Sequence, residues 1–443
     1  MIANLLSTLS VLLAAVPPEN LLNNLWVLLC AFLVFTMTIS VGLLEIGELG
    51  EKFDVSLLKT ISISGIALFV MALIGFNLAF APTISGVIGN PMHTGIFLGL
   101  FSPDTQGLLT GVWWSMTDAY FGTGITLGSY FVFEVAFASV TLALVGVVAL
   151  KKMKLKAFLV FAVVYFVLIW TLPAAWVWNP TGWLYLLGVR DFAGGLVVHA
   201  AAGAAGLAIV LQIWREEKKR GLKESPKISI NLNKGWLTLS ILLLWLGWLG
   251  FNPGSTLSIS HGSEVVVLTT LLASASSFLS VMFFRYVIVK QSPDLLYAVN
   301  GILMGLIVIT PIAGFVSPGS AVILGLLGGP LFLVGERWFS RFKWFSDPVG
   351  LFPGHMVGGA FGIMMIPFFT QSAFAAVSGF SSLPDGLLFG GGLAAIKQFG
   401  IEAFGIVVVM VTVFVLTSVT VWIIGKVDNG ITTNYGKEVR EQH

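Results

Sequence analysis

Two short stretches of this sequence place an acid, a glycine and an imidazole in one frame. Asp191 to His199 reads D-F-A-G-G-L-V-V-H, and 156 residues later Asp347 to His355 reads D-P-V-G-L-F-P-G-H. In each, Gly stands third after the Asp and His eighth. A neutral imidazole both donates and accepts, so two of them can share one proton and still offer nitrogens to a passing solute. Ionisable groups inside a membrane span line polar routes; two buried histidines satisfied by their neighbours are the plainer alternative. Two imidazoles with no nearby carboxylate or thiolate fall short of the usual zinc set. Each Asp precedes an apolar run, where it caps the first helical turn, an effect of about 0.5–2 kcal/mol, or holds negative charge near a route for a cation. The two roles are compatible, and Arg190 offers Asp191 an alternative partner.

A second set of residues could recognise a cation. In W-L-G-W-L-G-F-N-P-G-S, 245–255, Trp248, Phe251 and Ser255 are three and four apart and tend towards one helical face. Phe133 and Phe137 are likewise four apart. An aromatic face backed by a hydroxyl holds a small cation by roughly 0.5–2 kcal/mol of cation–π attraction, although with 35 phenylalanines most must be core or lipid filler. Glu134, between those two rings, needs a partner or a proton if it lies in hydrocarbon. Asn300 and Thr310 serve either a polar route or helix-to-helix hydrogen bonds.

The elements that carry these residues must be membrane helices. The 443 residues are 57% apolar and only 10% charged, where a soluble domain has about a quarter charged. Apolar runs near 20 residues long cross the hydrocarbon as helices, and long uniform runs argue against a lipid-facing barrel. Cys30 is the only cysteine, which excludes a disulfide within the chain. The spans are expected at about 24–45, 58–83, 126–149, 157–178, from just after Asp191 to about 215, 236–257, 263–287, 293–313, 317–335, 348–370 and 400–425. Pro173 should bend or end the fourth, the charged linker 215–235 should face water, and 373–399 reads as a loop. Residues 1–16 end in a signal-peptide-like Ala-Ala-Val but lack a basic region, so they are expected as a short uncleaved outer helix. Trp113 and Trp114 are expected at the interface.

With the first span starting outside, the inner loops and tail collect all of the 23 Lys and Arg except Arg190 and Lys397. That bias predicts an all-α polytopic protein of eleven spans, N-terminus out and C-terminus in. Five spans, five spans and one extra make two inverted repeats, about 24–215 and 236–370, so that His199 and His355 approach each other from opposite faces. The membrane domain is expected to occupy 1–426, with a short cytoplasmic tail at 427–443.

The motifs at 191–199, 247–255 (G-W-L-G-F-N-P-G-S), 309–314 (I-T-P-I-A-G) and 347–355 resemble the ammonium transporter family, the Amt/Mep/Rh group. The resemblance covers essentially the whole chain. It implies a homotrimer in which each subunit has its own narrow pore, placed in the plasma or inner membrane. It also implies roles for single residues: His199 and His355 as the twin pore histidines, Asp191 as the acid near an outer recruitment site, Trp178 and Ser255 as the ring and hydroxyl that receive ammonium. Phe137 and Phe251 resemble the stacked pair that closes the outer end of the pore, and Trp248 and Thr310 match positions close to its lining. Glu134 stands where many members have Gln, Leu43-Leu44-Glu45-Ile46-Gly47 replaces an aromatic and double-glycine turn, and Pro253 replaces a small residue. The tail lacks the acidic, glycine-containing segment through which many bacterial members meet a nitrogen-regulatory protein.

The function this predicts is ammonium transport: recruitment of the cation at an outer aromatic site, deprotonation, and passage along a pore with two histidines. A passive Rh-like channel for ammonia or carbon dioxide is the alternative within transport, and a sensor or transceptor with little flux is the alternative outside it. A membrane enzyme lacks a nucleophile or metal constellation. No cofactor, metal or nucleic-acid partner is expected; ammonium or ammonia and the lipid bilayer are.

Overall fold

The computed structural model describes residues 18–92, 124–149, 151–292 and 294–433. The segments expected at 1–16 and at Trp113 and Trp114, and the end of the tail, lie outside the described residues. Helices dominate because hydrocarbon offers no partner for a backbone N–H or C=O, so each span must satisfy its own. Among the described residues ten are long and apolar enough to cross a membrane: α1 Pro18–Leu49, α2 Phe53–Phe80, α3 Leu127–Ala149, α4 Leu155–Val177, α5 Gly195–Lys219, α6 Lys234–Gly254, α7 His261–Val289, α9 Pro318–Phe339, α10 Leu351–Phe369 and α11 Gly392–Val427. Between α7 and α9 lies α8, Leu295–Ile309, apolar and 15 residues long. The chain is a multi-pass all-α membrane protein.

Each of the eleven helices overlaps an expected span, with informative differences at the ends. The span expected at 293–313 stops as a helix at Ile309, because Pro311 lacks the N–H that would continue it. Its carbonyl instead accepts from Phe192 N–H at 3.1 Å, which ties the end of α8 to the mouth of α5. The stretch 373–399 is not all loop: Ser372–Val377 is a short helix, and α11 begins at Gly392. Gly390 and Gly392, with φ of 87° and 53°, supply the left-handed turn there, and A-A-I-K-Q-F behind them is ordinary helix-forming sequence. Pro173 does not end α4; the helix widens to a π segment one turn earlier, at Tyr165–Ile169.

The linker 215–235 is not all in water either. Glu217 and Ser225 are buried, and both meet Lys152, at 3.2 Å and 2.6 Å, so the charges are carried inward as a hydrogen-bonded group. Glu45, inside α1, is fully buried and paired with Lys59 and, at 2.9 Å, with Ser56. After α11, residues 428–433 are bound back to the rest of the chain. Lys154 Nζ donates to the carbonyls of Asp428 and Gly430, and Glu216 accepts from the N–H groups of Ile431 and Thr432.

Helices five apart in the chain pack on each other, α1 against α6 and α5 against α10. The second contact is built on two glycines four residues beyond the two histidines. A Cβ added at Gly203 of α5 would meet Met356 Cα at 2.9 Å, and one at Gly359 of α10 would meet His199 Cβ at 2.9 Å. Each helix therefore presents a bare backbone where the other carries its histidine turn. That close approach brings the two imidazoles together.

Candidate functional site

The repeated frame is a built structure. Gly194 and Gly350, each third after its Asp, have φ of 113° and 71°, in the left-handed region that favours glycine. Each is followed by a π-helical turn, Gly195–Ala200 and Leu351–Met356, that holds the histidine in its fifth place. A wide first turn leaves backbone N–H groups without internal partners, and the aspartates receive them. Asp191 Oδ1 accepts from Gly194 and Gly195 at 2.9 and 2.7 Å, and Oδ2 from Leu196 and Val197 at 2.8 and 2.9 Å. Asp347 accepts from Leu351 at 2.8 Å and Phe352 at 2.9 Å. Burial pushes the Asp347 carboxyl up to about 6, against the backbone N–H groups that hold it down. Arg190 does not pair with Asp191: its Nη1 donates to the carbonyls of Tyr185 and Val189, and its N–H donates to Glu402 of α11.

His199 Nδ1 and His355 Nδ1 are 3.1 Å apart and share a hydrogen bond, so one ring donates and the other accepts. His199 Nε2 has no partner among the described residues. The imidazoles close one side of a cavity of about 20 Å³, whose remaining wall is apolar: Met37, Val41 and Leu44 of α1, Val140 and Leu144 of α3, with Trp248 and Phe251 of α6. This is space for about one water-sized molecule. The His199 ring lies parallel to Phe251, 16° between planes and 5.8 Å between centroids.

A second cavity, of about 170 Å³, lies on the other side of a pair of rings. Its wall includes Trp178, Ser255, Asp191, Glu134, Phe137 and Phe380. Phe137 lines this cavity and Phe251 the histidine cavity; their rings pack 4.2 Å apart at 31°, with no room for a solute between them. Trp178 meets Phe137 edge-on at 5.8 Å and spends its indole N–H on Asp191 C=O at 2.9 Å, which fixes its ring against the cavity. Ser255 Oγ donates to Phe251 C=O at 2.9 Å and keeps its lone pairs. Two small chambers separated by stacked rings, one with a hydroxyl and an aromatic face and the other with paired imidazoles, suit a small polar solute that loses its water between them.

The sequence profile of the Ammonium Transporter Family matches residues 25–438. The chain belongs to the ammonium transporter family. It is 32% identical over 398 residues to an ammonium transporter of Bacillus subtilis (strain 168), covering 90% of this chain and 91% of the relative. Among solved structures it is similar to Saccharomyces cerevisiae Mep2, with a TM-score of 0.76, 26% identity, and coverage of 91% of this chain and 85% of that one. It is also similar to a protein described as a sensor Amt protein, with a TM-score of 0.78, 26% identity, and coverage of 95% and 97%.

Within this ammonium transporter family member, eight of the nine expected site residues line one cavity or the other. Thr310 does not: it lies behind Trp248, accepting its indole N–H at 3.0 Å and donating to Leu306 C=O. Of the two roles open to it, the helix-to-helix bond is the one formed. Asp191 has both carboxylate oxygens engaged by four backbone N–H groups, and its carbonyl accepts the Trp178 indole N–H. The sequence reading missed Met37, Val41 and Leu44, which look like any apolar stripe, and Phe380, which follows α10 in a segment without periodicity.

Proposed function

We propose that the protein moves ammonium nitrogen as ammonia and proton. The cation is received beside Trp178 and Ser255 within the field of Asp191 and sheds water there. An ammonium ion in the apolar chamber beyond would lose its solvation without a compensating partner, so it gives up a proton to the water it sheds, before the Phe137–Phe251 pair. The N–H electron pair stays on nitrogen. Ammonia passes when the Phe137 and Phe251 rings swing apart and follows His199 and His355, while the proton crosses along the imidazole pair. The observation that carries this reading is the Nδ1–Nδ1 hydrogen bond of 3.1 Å in a chamber of about 20 Å³ that is otherwise apolar. It provides a proton route where a dehydrated cation has none.

The same reading takes all eleven helices as spans, N-terminus outside, in two inverted repeats and a homotrimer. The test is current from purified protein on a solid-supported membrane, with ammonium, methylammonium and potassium compared across pH. Ammonium-dependent current that disappears when both histidines become alanine supports the scheme. Current that survives that change with selectivity over potassium intact overturns the proton route, and no ammonium-dependent current in the wild type favours passive ammonia conduction. The likeness to a sensor Amt protein supports a second reading, in which occupancy of the Trp178 cavity is reported to a partner. Ammonium-dependent partner binding with negligible flux would establish it.

A further inference from the structure

Helix α3 carries a carboxylate that the scheme above does not use. Glu134 precedes Phe137 by three residues and is only 5% exposed. Its carboxylate takes a hydrogen bond from the Tyr130 hydroxyl, and Oε2 has no partner among the described residues. A buried carboxylate oxygen without a partner is unfavourable, and the chain does not quench it with a base. Among the described residues on the cavity wall, Arg190 is the one basic side chain. Its guanidinium is bound to the Tyr185 and Val189 carbonyls and lies 4.2 Å from the Tyr185 ring.

The other acceptors of that cavity are mostly engaged. Asp191 has both oxygens filled by four backbone N–H groups, and Trp178 offers only its ring. Ser255 offers lone pairs without charge. Glu134 is thus the charged acceptor with capacity left, on the same wall as the aromatic face. An ammonium ion brings four N–H donors in a tetrahedron and a positive charge, which complements what this carboxylate lacks. Methylammonium brings three donors, and potassium none.

We infer that Glu134 is a ligand of the cation at this site, its Oε2 accepting an ammonium N–H and its carboxylate supplying a countercharge. The inference rests on the proposal that this cavity receives ammonium. Glu134 then sets specificity: it rewards the fourth N–H, and protons compete with the cation for the same oxygen. The titratable or charged groups that share its surroundings are Tyr130 on α3 and Tyr185, Arg190 and Asp191 from the segment that leads into α5.

The test is Glu134→Gln, nearly isosteric and still able to accept from Tyr130, in proteoliposomes or on a solid-supported membrane. Loss of a charge-assisted hydrogen bond raises KM for ammonium about tenfold. KM rises more than maximal current falls, the preference for ammonium over methylammonium shrinks, and the dependence of KM on pH flattens. Glu134→Asp restores part of the preference. A wild-type KM and preference in Glu134→Gln overturns the inference while leaving transport intact; absence of ammonium transport in the wild type overturns the transport reading itself. A purely structural role lowers the amount of folded protein without changing the ammonium-to-methylammonium ratio, which also overturns it. If the variant does not reach the membrane, infrared difference spectra of the wild type on adding ammonium decide: a changed carboxylate band supports ligation, and a silent carboxylate region refutes it.

Discussion

Replacing Asp191 by Asn should destabilise the protein about twice as much as replacing Asp347, although the two aspartates share one frame. The Asp191 carboxylate accepts four backbone N–H groups, two on each oxygen, between 2.7 and 2.9 Å. Asparagine keeps one oxygen and turns an NH2 towards the other two donors. Two hydrogen bonds to a charged group, at about 1.5–3 kcal/mol each, amount to about 3–6 kcal/mol, above the ordinary loss of a helix cap at about 0.5–2 kcal/mol. Asp347 accepts Leu351 N–H on one oxygen and Phe352 N–H on the other, with Gly350 N–H also directed at it; asparagine can keep the better-served oxygen, so Asp347→Asn loses one such bond, about 1.5–3 kcal/mol. The assay is the thermal unfolding of purified protein in one detergent, followed by tryptophan fluorescence, with the two single variants and wild type side by side. A melting temperature for Asp191→Asn equal to or above that of Asp347→Asn would refute the assignment of the four N–H groups to Asp191.

Gly359→Ala puts a methyl against the Gly195 carbonyl oxygen, 2.9 Å from His199 Cβ and 3.1 Å from Ala200 N, an overpacking worth about 1–3 kcal/mol. It should lower the melting temperature and diminish ammonium current by parting the imidazoles, whereas Gly65→Ala, with nothing within 4 Å, should do neither. Asp428, hydrogen-bonded to Lys154, is held below the ordinary aspartate value of 3.8. Its contribution to stability is therefore present above that pH and lost as the pH falls through the lowered value. The difference in melting temperature between wild type and Asp428→Asn should accordingly be visible at neutral pH and vanish in acid.

Much of this architecture was legible in the sequence because hydrophobic length reports directly on a bilayer. The Asp-Gly-His frame was legible for a local reason: cap, left-handed turn and histidine are close in sequence, and the glycine identifies itself. What escaped depends on distant partners. Thr310 reads equally as pore or packing, and only the indole N–H of Trp248, 62 residues away, decides between them. The break of α4 fell at Tyr165–Ile169, since a proline frees a carbonyl a turn before itself, and neighbours decide how that turn relaxes. The buried group of Lys152, Glu217 and Ser225 joins a loop to a linker that charge alone assigns to water. Glu402 of α11 holds the N–H of Arg190 from 212 residues away, and nothing in a single sequence connects them.

The capped histidine turns have one more consequence, which concerns the sign of the pathway. A helix begins with roughly half a positive charge on its free N–H groups, and left bare it attracts anions. Helix α5 begins at the wall of the Trp178 cavity, where such a charge would turn a cation away. Asp191 reverses it: half a positive charge met by a full negative one leaves the threshold slightly negative, with no acidic oxygen free to grip the ion. Asp347 repeats the correction where α10 begins, five helices later. Two helix beginnings can thus stand beside buried histidines without presenting a positive end, provided each carries its own counterion in the fold.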